Sequence, residues 1–495
     1  MNRPIRTLAI GCLVLFLALL INATFLQYWQ ADELNDLSAH PDNRRVLNAD
    51  FSKPRGSILV RNTAVAESNP SKDQFKFQRV YPQALQDAHI TGFFSRDAGI
   101  GGIEATQNDI LSGNDAKLFV NRVIDLVGNQ ETRGGSVRLT IDPAAQKAAF
   151  DGMRALGPRV QGAVVALDPT TGKILAMVSS PTYDPRQLAT HDFGAALKAK
   201  KRYLADPLNP LNNRAIEAAL PPGSTFKLVT AAAALESGKY QPSTKVPGGA
   251  RLDLPLTSTD LVNENGSDCG GDPITLTQAL QVSCNVSFGA VGLKLGDDTL
   301  RKQAQKFGFG ERYFHELDDD LTRQAISSFP EDPDAPQTAL SAIGQYDVKA
   351  TPLQMAMVAA GIANNGDVMR PYLVDEIRTS DLDVLDRTEP EKLSDAISSA
   401  TARKLTDMMV AVVDRGTGTT AQIPGVRVAG KTGTAQSAPD RPPYAWFVSF
   451  APANSHPQVA VAVLVQDAGV DRDAISGSGL AAPIAKSVME AVINP

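Results

Sequence analysis

Residues 8–26 (LAIGCLVLFLALLINATFL) form an apolar run whose only notable polar interruptions, Asn22 and Thr24, lie near one end. A helix of that length crosses a hydrocarbon core of about 30 Å, so the run divides the chain before any other feature is considered. Arg3 and Arg6 precede it, and Asp32, Glu33 and Asp36 follow it. The positive flank places residues 1–7 in the cytoplasm as a tail and 8–28 in the membrane as an anchor, with the remainder outside. Tyr28 and Trp29 suit the interfacial aromatic belt. A cleaved signal peptide has a shorter apolar core and a small-x-small cleavage site. The following QYWQADEL offers no such site, so a retained anchor is the better reading. Cys12 sits inside the run, whereas a lipidated cysteine follows its apolar core; it reads as membrane-buried filler.

Composition narrows what lies beyond the anchor. Hydrophobic residues are 43% and charged residues 21% of 495, which excludes wholesale disorder and a polytopic membrane protein. Lys plus Arg number 48 against 54 Asp plus Glu, a net charge of -6, so nucleic-acid binding has no electrostatic footprint. Three cysteines in so long a chain exclude a disulfide scaffold and give no repeated pair for zinc. The five histidines show no H-E-x-x-H spacing. No metal and no cofactor are expected.

The chain changes character near residue 156. Residues 29–155 hold few long periodic runs and read as a smaller, extended, mixed domain. Beyond it, 162–167 (GAVVAL) and 174–178 (ILAMV) flank the turn-forming DPTTGK and predict a β-hairpin. Ser224 precedes an Ala-rich helical segment that stops at Gly238, 274–295 reads as another helix, and 351–363 begins Thr-Pro in cap-then-N1 order. Three strands are expected at 425–430, 445–450 and 458–465, and a closing helix at about 480–492. A hairpin, helices, a meander and a last helix predict an α+β fold over 156–495, with one antiparallel β-sheet flanked by helices. It requires the first hairpin to pair with the last strands.

Three short motifs carry chemistry. In Ser224-Thr225-Phe226-Lys227, a lysine one turn along the same helix face can take the serine's proton, provided that burial or a neighbouring cation lowers its pKa. The helix start also leaves N–H groups free for an oxyanion. Ser283-Cys284-Asn285 puts a hydroxyl and an amide two positions apart, able to share a cleft where the backbone is irregular. Lys431-Thr432-Gly433-Thr434 supplies a cation, two hydroxyls and a glycine that lets a ligand backbone approach a strand. Alone, each has a commoner explanation: a capped helix with a surface lysine, a loop, and a turn with a solvated lysine.

In this order, with about 60 and 150 residues between them, the motifs resemble the penicillin-binding-protein and serine β-lactamase superfamily. The surroundings look like its transpeptidases: Arg214 to Glu217 before Pro222-Gly223, Gly344-Gln345 with Thr351-Pro-Leu-Gln354, Gly416-Thr-Gly418, and Trp446-Phe447 after the third motif. Arg55-Gly56 and Gly102-Ile103-Glu104 resemble motifs of the non-catalytic domain of class B members, which makes 29–155 that domain and 156–495 the penicillin-binding transpeptidase domain. Among these, the chain looks most like the actinobacterial penicillin-binding protein A group, linked to division and cell shape.

The resemblance implies roles. Ser224 would attack a peptidoglycan stem peptide between its terminal D-alanines, with Lys227 as base. Ser283 and Lys431 would deliver the proton to the leaving D-alanine, and Asn285 would hold the substrate amide. Thr432, Gly433 and Thr434 would bind the donor carboxylate or a β-lactam, and the N–H groups of Ser224 and Thr434 would hold the oxyanion. Expected partners are stem peptides, β-lactam antibiotics, the cell membrane, a membrane glycan polymerase and division proteins. Cys284 stands where many relatives carry Asp, which leaves both flanking roles intact. It could bridge to Cys269, fifteen positions earlier in a Gly/Asp-rich loop, or the two could be independent small residues; spacing leaves both open.

Other functions fit less well. No Glu-x-x-Leu-Asn pattern lies between the second and third motifs, so the glutamate-activated water of a class A β-lactamase is not expected. A D,D-carboxypeptidase shares the motifs but passes its acyl group to water. A bifunctional synthase needs a glycosyltransferase domain for which 29–155 is too short. A silent scaffold would have no need of the complete residue set, and a β-lactam-sensing receptor normally couples its sensor to several membrane helices, where this sequence shows one apolar span.

Overall fold

The structure, a computed structural model, describes residues 2–28, 51–118, 133–436, 442–454 and 456–494. Trp29 and the acidic flank Asp32, Glu33 and Asp36 lie outside the described residues. The amino-terminal run is one helix, Asn2–Tyr28, whose segment Arg6–Leu26 has a mean hydropathy of 2.5 and is not buried among the described residues. Its length and composition suit a membrane span.

One sheet has five antiparallel strands in the order Ala429–Ala435, Tyr444–Ala451, Val459–Asp467, Gln161–Leu167, Ile174–Ser180. The first hairpin therefore joins the last strands, with Val463 opposite Val164. Side chains alternate across the sheet with period two. Val461, Val463 and Val465 face a layer made by helices Pro143–Ala155 and Ala482–Ile493, through Ala145, Met153, Ile484 and Val488. Ala460, Ala462 and Leu464 face the opposite core, which includes helix Pro352–Ala363, buried at all twelve positions. Thr351 caps that helix through its hydroxyl, in the cap-then-proline order. Helices on both faces of one antiparallel sheet are the expected α+β architecture.

Three elements depart from expectation. The strand placed at 425–430 lies at Ala429–Ala435, because Gly425 turns the chain at a φ of 75° and an Ile423–Val426 bridge closes that turn. The helix expected over 274–295 is two, Leu276–Gln281 and Asn285–Leu295, broken at Ser283, whose φ of 61° is left-handed. The closing helix starts at Ala482, after a wider turn over Gly477–Ala481.

A second, mixed sheet orders Val384–Arg387, Val374–Arg378, Ser136–Leu139, Ile58–Val60, Thr63–Pro70 and Phe77–Val80. Its first two strands come from far beyond residue 156, while helix Pro143–Ala155 packs on the five-stranded sheet. The boundary drawn at 155/156 is thus crossed in both directions, by pairing between segments too far apart for a sequence pattern to reveal. Beside this sheet the two upstream motifs meet. Glu104 Oε2 accepts from Arg55 Nε and Oε1 from Arg79 Nε, both at 2.6 Å, and the Tyr81 hydroxyl donates to the same carboxylate at 3.2 Å. All four side chains are buried. Burial alone would raise the Glu104 pKa, but Arg79 and Arg55 outweigh it and hold the carboxyl below its ordinary value.

Candidate active site

Ser224 sits in the tight turn Gly223–Phe226 that runs into helix Lys227–Glu236. The turn is clamped from three sides. Gly223 N–H donates to Gly344 O at 3.0 Å, and a Cβ on Gly344, itself at a φ of 72°, would fall 2.2 Å from Gly223 O. Trp446 Nε1 donates to Pro221 O at 3.0 Å. Phe226 packs edge-on to Phe309 and stacked on Phe329. Gly344 and Trp446, noted in the sequence beside the motifs, thus help to fix one short turn.

Lys227 points inward and is fully buried. Its Nζ donates to Ser283 O and to Asn285 Oδ1, each at 2.7 Å, and lies 3.3 Å from Ser283 Oγ. Lys431, also fully buried, donates to Ser283 Oγ and to Thr432 O, each at 2.8 Å. The second motif thus stands between the two lysines. Among the described residues neither lysine has a carboxylate within ion-pair distance. Burial and then the charge of Lys431 push Lys227 well below its ordinary pKa, with Glu264 acting in the opposite sense. Burial pushes Lys431 down to about 7, again against Glu264. An amine that sheds its proton near neutrality can serve as a base.

The helix break makes this arrangement possible. A non-glycine residue in the left-handed region costs about 1–2 kcal/mol, and here it turns Ser283 Oγ to Lys431 while Asn285 starts the next helix. Asn263 holds that start: its Oδ1 accepts from Asn285 N–H at 3.0 Å and Val286 N–H at 3.2 Å, and its Nδ2 donates to Gly249 O and Ser267 O. Cys284 is bonded to Cys269 with a Cα separation of 5.8 Å, so of the two cysteine readings the structure takes the bridge.

The third motif lies on strand Ala429–Ala435, the free edge of the five-stranded sheet. Thr432 Oγ1 shares a hydrogen bond with Thr417 Oγ1 at 2.6 Å, which gives Gly416-Thr-Gly418 its place in the site. Gly433 answers a tighter demand than ligand approach. A Cβ there would fall 2.9 Å from Thr225 Cγ2 and 3.0 Å from Pro222 O, so only glycine lets the strand lie against the serine's turn.

Ser224, Ser283, Thr432 and Thr434 line one cleft of about 670 Å³, and Ser224, Thr434 and Asn285 an adjoining one of about 710 Å³. The structure thus gathers the hydroxyls and the amide about Ser224, with both lysines behind them. Sequence reasoning missed Asn263, Glu264 and Ser476 to Ser478, which also line these clefts and belong to no motif. The arrangement can transfer an acyl group through the serine. None of these residues forms a metal cluster, and among the described residues no group of three His, Cys, Asp or Glu side chains is placed to hold one.

Residues 162–490 match the family described as the penicillin binding protein transpeptidase domain, and residues 55–137 that described as the penicillin binding protein A dimerisation domain. The chain is 42% identical over 506 residues to peptidoglycan D,D-transpeptidase PbpA of Mycolicibacterium smegmatis, covering 100% of this chain and 99% of that one. It is 40% identical to the Mycobacterium tuberculosis protein of the same name, with the same coverage. The solved structure of penicillin-binding protein A from M. tuberculosis as a ceftriaxone acyl-enzyme superposes with a TM-score of 0.86 at 40% identity, covering 90% of this chain and 100% of that one.

Proposed function

The chain belongs to the penicillin-binding protein transpeptidase family as a class B member, and from that premise we propose that it is a peptidoglycan D,D-transpeptidase that works through a Ser224 acyl-enzyme and is inactivated by β-lactams. The observation that carries this reading is the pair of buried lysines that meet on Ser283 with no carboxylate bridging to either among the described residues. A lysine kept neutral by burial is a base, and a second one poised near neutrality is a proton donor.

Lys227 takes the proton of Ser224 as Oγ attacks the carbonyl between the terminal D-alanines. The N–H groups of Ser224 and Thr434 hold the oxyanion. Asn285 holds the donor amide, and Thr432 and Thr434 hold its carboxylate. As the C–N bond breaks, a proton passes from Lys431 through Ser283 Oγ to the departing D-alanine. An amine from a neighbouring stem then resolves the ester, with its carbon–nitrogen bond forming as the bond to Ser224 breaks.

The anchor places the amino terminus in the cytoplasm and the catalytic residues outside, a reading supported by Arg3 and Arg6 before the span. Cell-wall synthesis at that surface calls for a membrane glycan polymerase as partner, in division and shape control. Fluorescent penicillin should label the detergent-purified full-length protein, and Ser224→Ala should abolish the label. Equal labelling of that variant would refute the assignment.

A further inference from the structure

Two clefts meet at Ser224, and their walls differ. The 670 Å³ cleft is lined by the hydroxyls of Thr417, Thr432 and Ser476 and by two carboxylates, Glu264 and Asp268. The 710 Å³ cleft is bounded by Leu340, Ile343 and Tyr346 and carries Arg472. Glu264 and Ser224 each line both. Glu264 is exposed, yet its backbone is held: Asn263 is buried with both ends of its amide bonded, and the Cys269–Cys284 bridge closes the same loop. Its charge reaches the reaction centre, since it acts on both Lys227 and Lys431.

Chemistry assigns a direction to these clefts. With the donor's carboxylate on Thr432 and Thr434, D-alanine leaves through the 670 Å³ cleft. Forming the new amide is the reverse of breaking the old one, so the acceptor nitrogen must return by the path the D-alanine nitrogen took. It arrives as an ammonium, and water competes for the same ester.

We propose that Glu264 determines acceptor specificity in the second half-reaction, its carboxylate receiving the acceptor's ammonium in the 670 Å³ cleft and so favouring amine over water. This rests on the transpeptidase reading and names what that reading leaves open. The docked ammonium releases one proton to water. The amine attacks the ester, the C–N bond forms as the C–O bond to Ser224 breaks, the amine's second proton passes through Ser283 Oγ to Lys431, and Lys227 returns to Ser224 Oγ the proton it took during acylation.

The test uses the detergent-purified full-length chain with an N-acyl-D-alanyl thioester as donor and D-alanine as acceptor. The readout is the ratio of aminolysis to hydrolysis product at subsaturating acceptor, which does not depend on the rate of acylation. Glu264→Gln should lower it about tenfold, the size of one charge-assisted contact, and Glu264→Lys further, while Glu264→Asp keeps most of it. Added salt should lower the wild-type ratio and leave that of Glu264→Gln nearly flat. A wild-type ratio in Glu264→Gln overturns the proposal. A wild-type protein that penicillin labels but that yields neither product overturns the transpeptidase reading itself, and this inference with it.

Discussion

The molecule buries two pairs of cations and treats them in opposite ways. Beside the mixed sheet, Arg55 and Arg79 share one carboxylate, Glu104, and Arg55 also lies over the Phe94 ring at 4.2 Å. At the edge of the five-stranded sheet, Lys227 and Lys431 share one hydroxyl, Ser283, and among the described residues no carboxylate. Arginine keeps its proton in nearly any surroundings, so burying two of them requires a counter-charge. Lysine can give its proton up, so burial without a counter-charge converts it into a base. The first cluster joins Arg55 to Glu104 and holds a domain together. The second keeps its electrostatic cost, and the proposed serine chemistry rests on it.

The sharpest break between the two clusters is removal of a base against removal of a counter-charge. Lys227→Met should slow β-lactam acylation about 10³-fold, the scale of a positioned general base, with the fold retained. Stopped-flow acylation beside a thermal melt checks both halves. Glu104→Ala should leave Ser224 chemistry intact in any folded molecules but cost about 3–5 kcal/mol of stability, because two arginines are left buried without their carboxylate. Denaturant unfolding reads it.

The pH response should slope the same way for the two clusters, stability rising with pH, but in separate windows, alkaline for Lys431 and acidic for Glu104. Lys431 titrates at about 7 in the folded chain against about 10.4 unfolded, so the unfolded state binds more protons between those values. Its contribution to stability should therefore rise as pH climbs from 7 to 10, and Lys431→Met should flatten that rise. Glu104, held below its ordinary pKa, contributes stability that is present above the unfolded value and is lost as pH falls through the folded one. Melting temperatures across pH, for the wild type and each variant, separate the two. The smallest expected effect is that of Trp446→Phe. It removes the hydrogen bond to Pro221 O, costs about 1 kcal/mol and lowers acylation modestly, as differential scanning and penicillin labelling would show.

Much of the site was legible in the sequence because its chemistry resides in three short strings, each fixed by local geometry: a turn, a helix break and an edge strand. The break itself was not. Residues 274–295 are apolar enough to read as one helix, and nothing in Ser283 announces a positive φ. Strand Ala429–Ala435 was misplaced because Gly-Lys-Thr-Gly-Thr lacks the alternation of a strand; glycine is there for contact with Thr225. Asn263 and Glu264 carry no motif, and their roles come from a loop folded back on the site. The first hairpin and the last strands are plain in the sequence because both are buried on two faces and so run apolar. Arg55 and Glu104 appeared as separate turns, and only the fold shows them as one ion cluster.

Strands Val374–Arg378 and Val384–Arg387, borrowed by the mixed sheet, mean that the enzyme and its pedestal are stitched together rather than strung in series. A fragment begun at residue 156 would lose Ser136–Leu139 and bare one side of Val374–Arg378, offering its idle amides to the next molecule. It would also lose helix Pro143–Ala155 from the back of the five-stranded sheet. Crystallographers or assay designers trimming this protein should cut ahead of residue 51, which removes the apolar amino-terminal helix and keeps every described strand of both sheets.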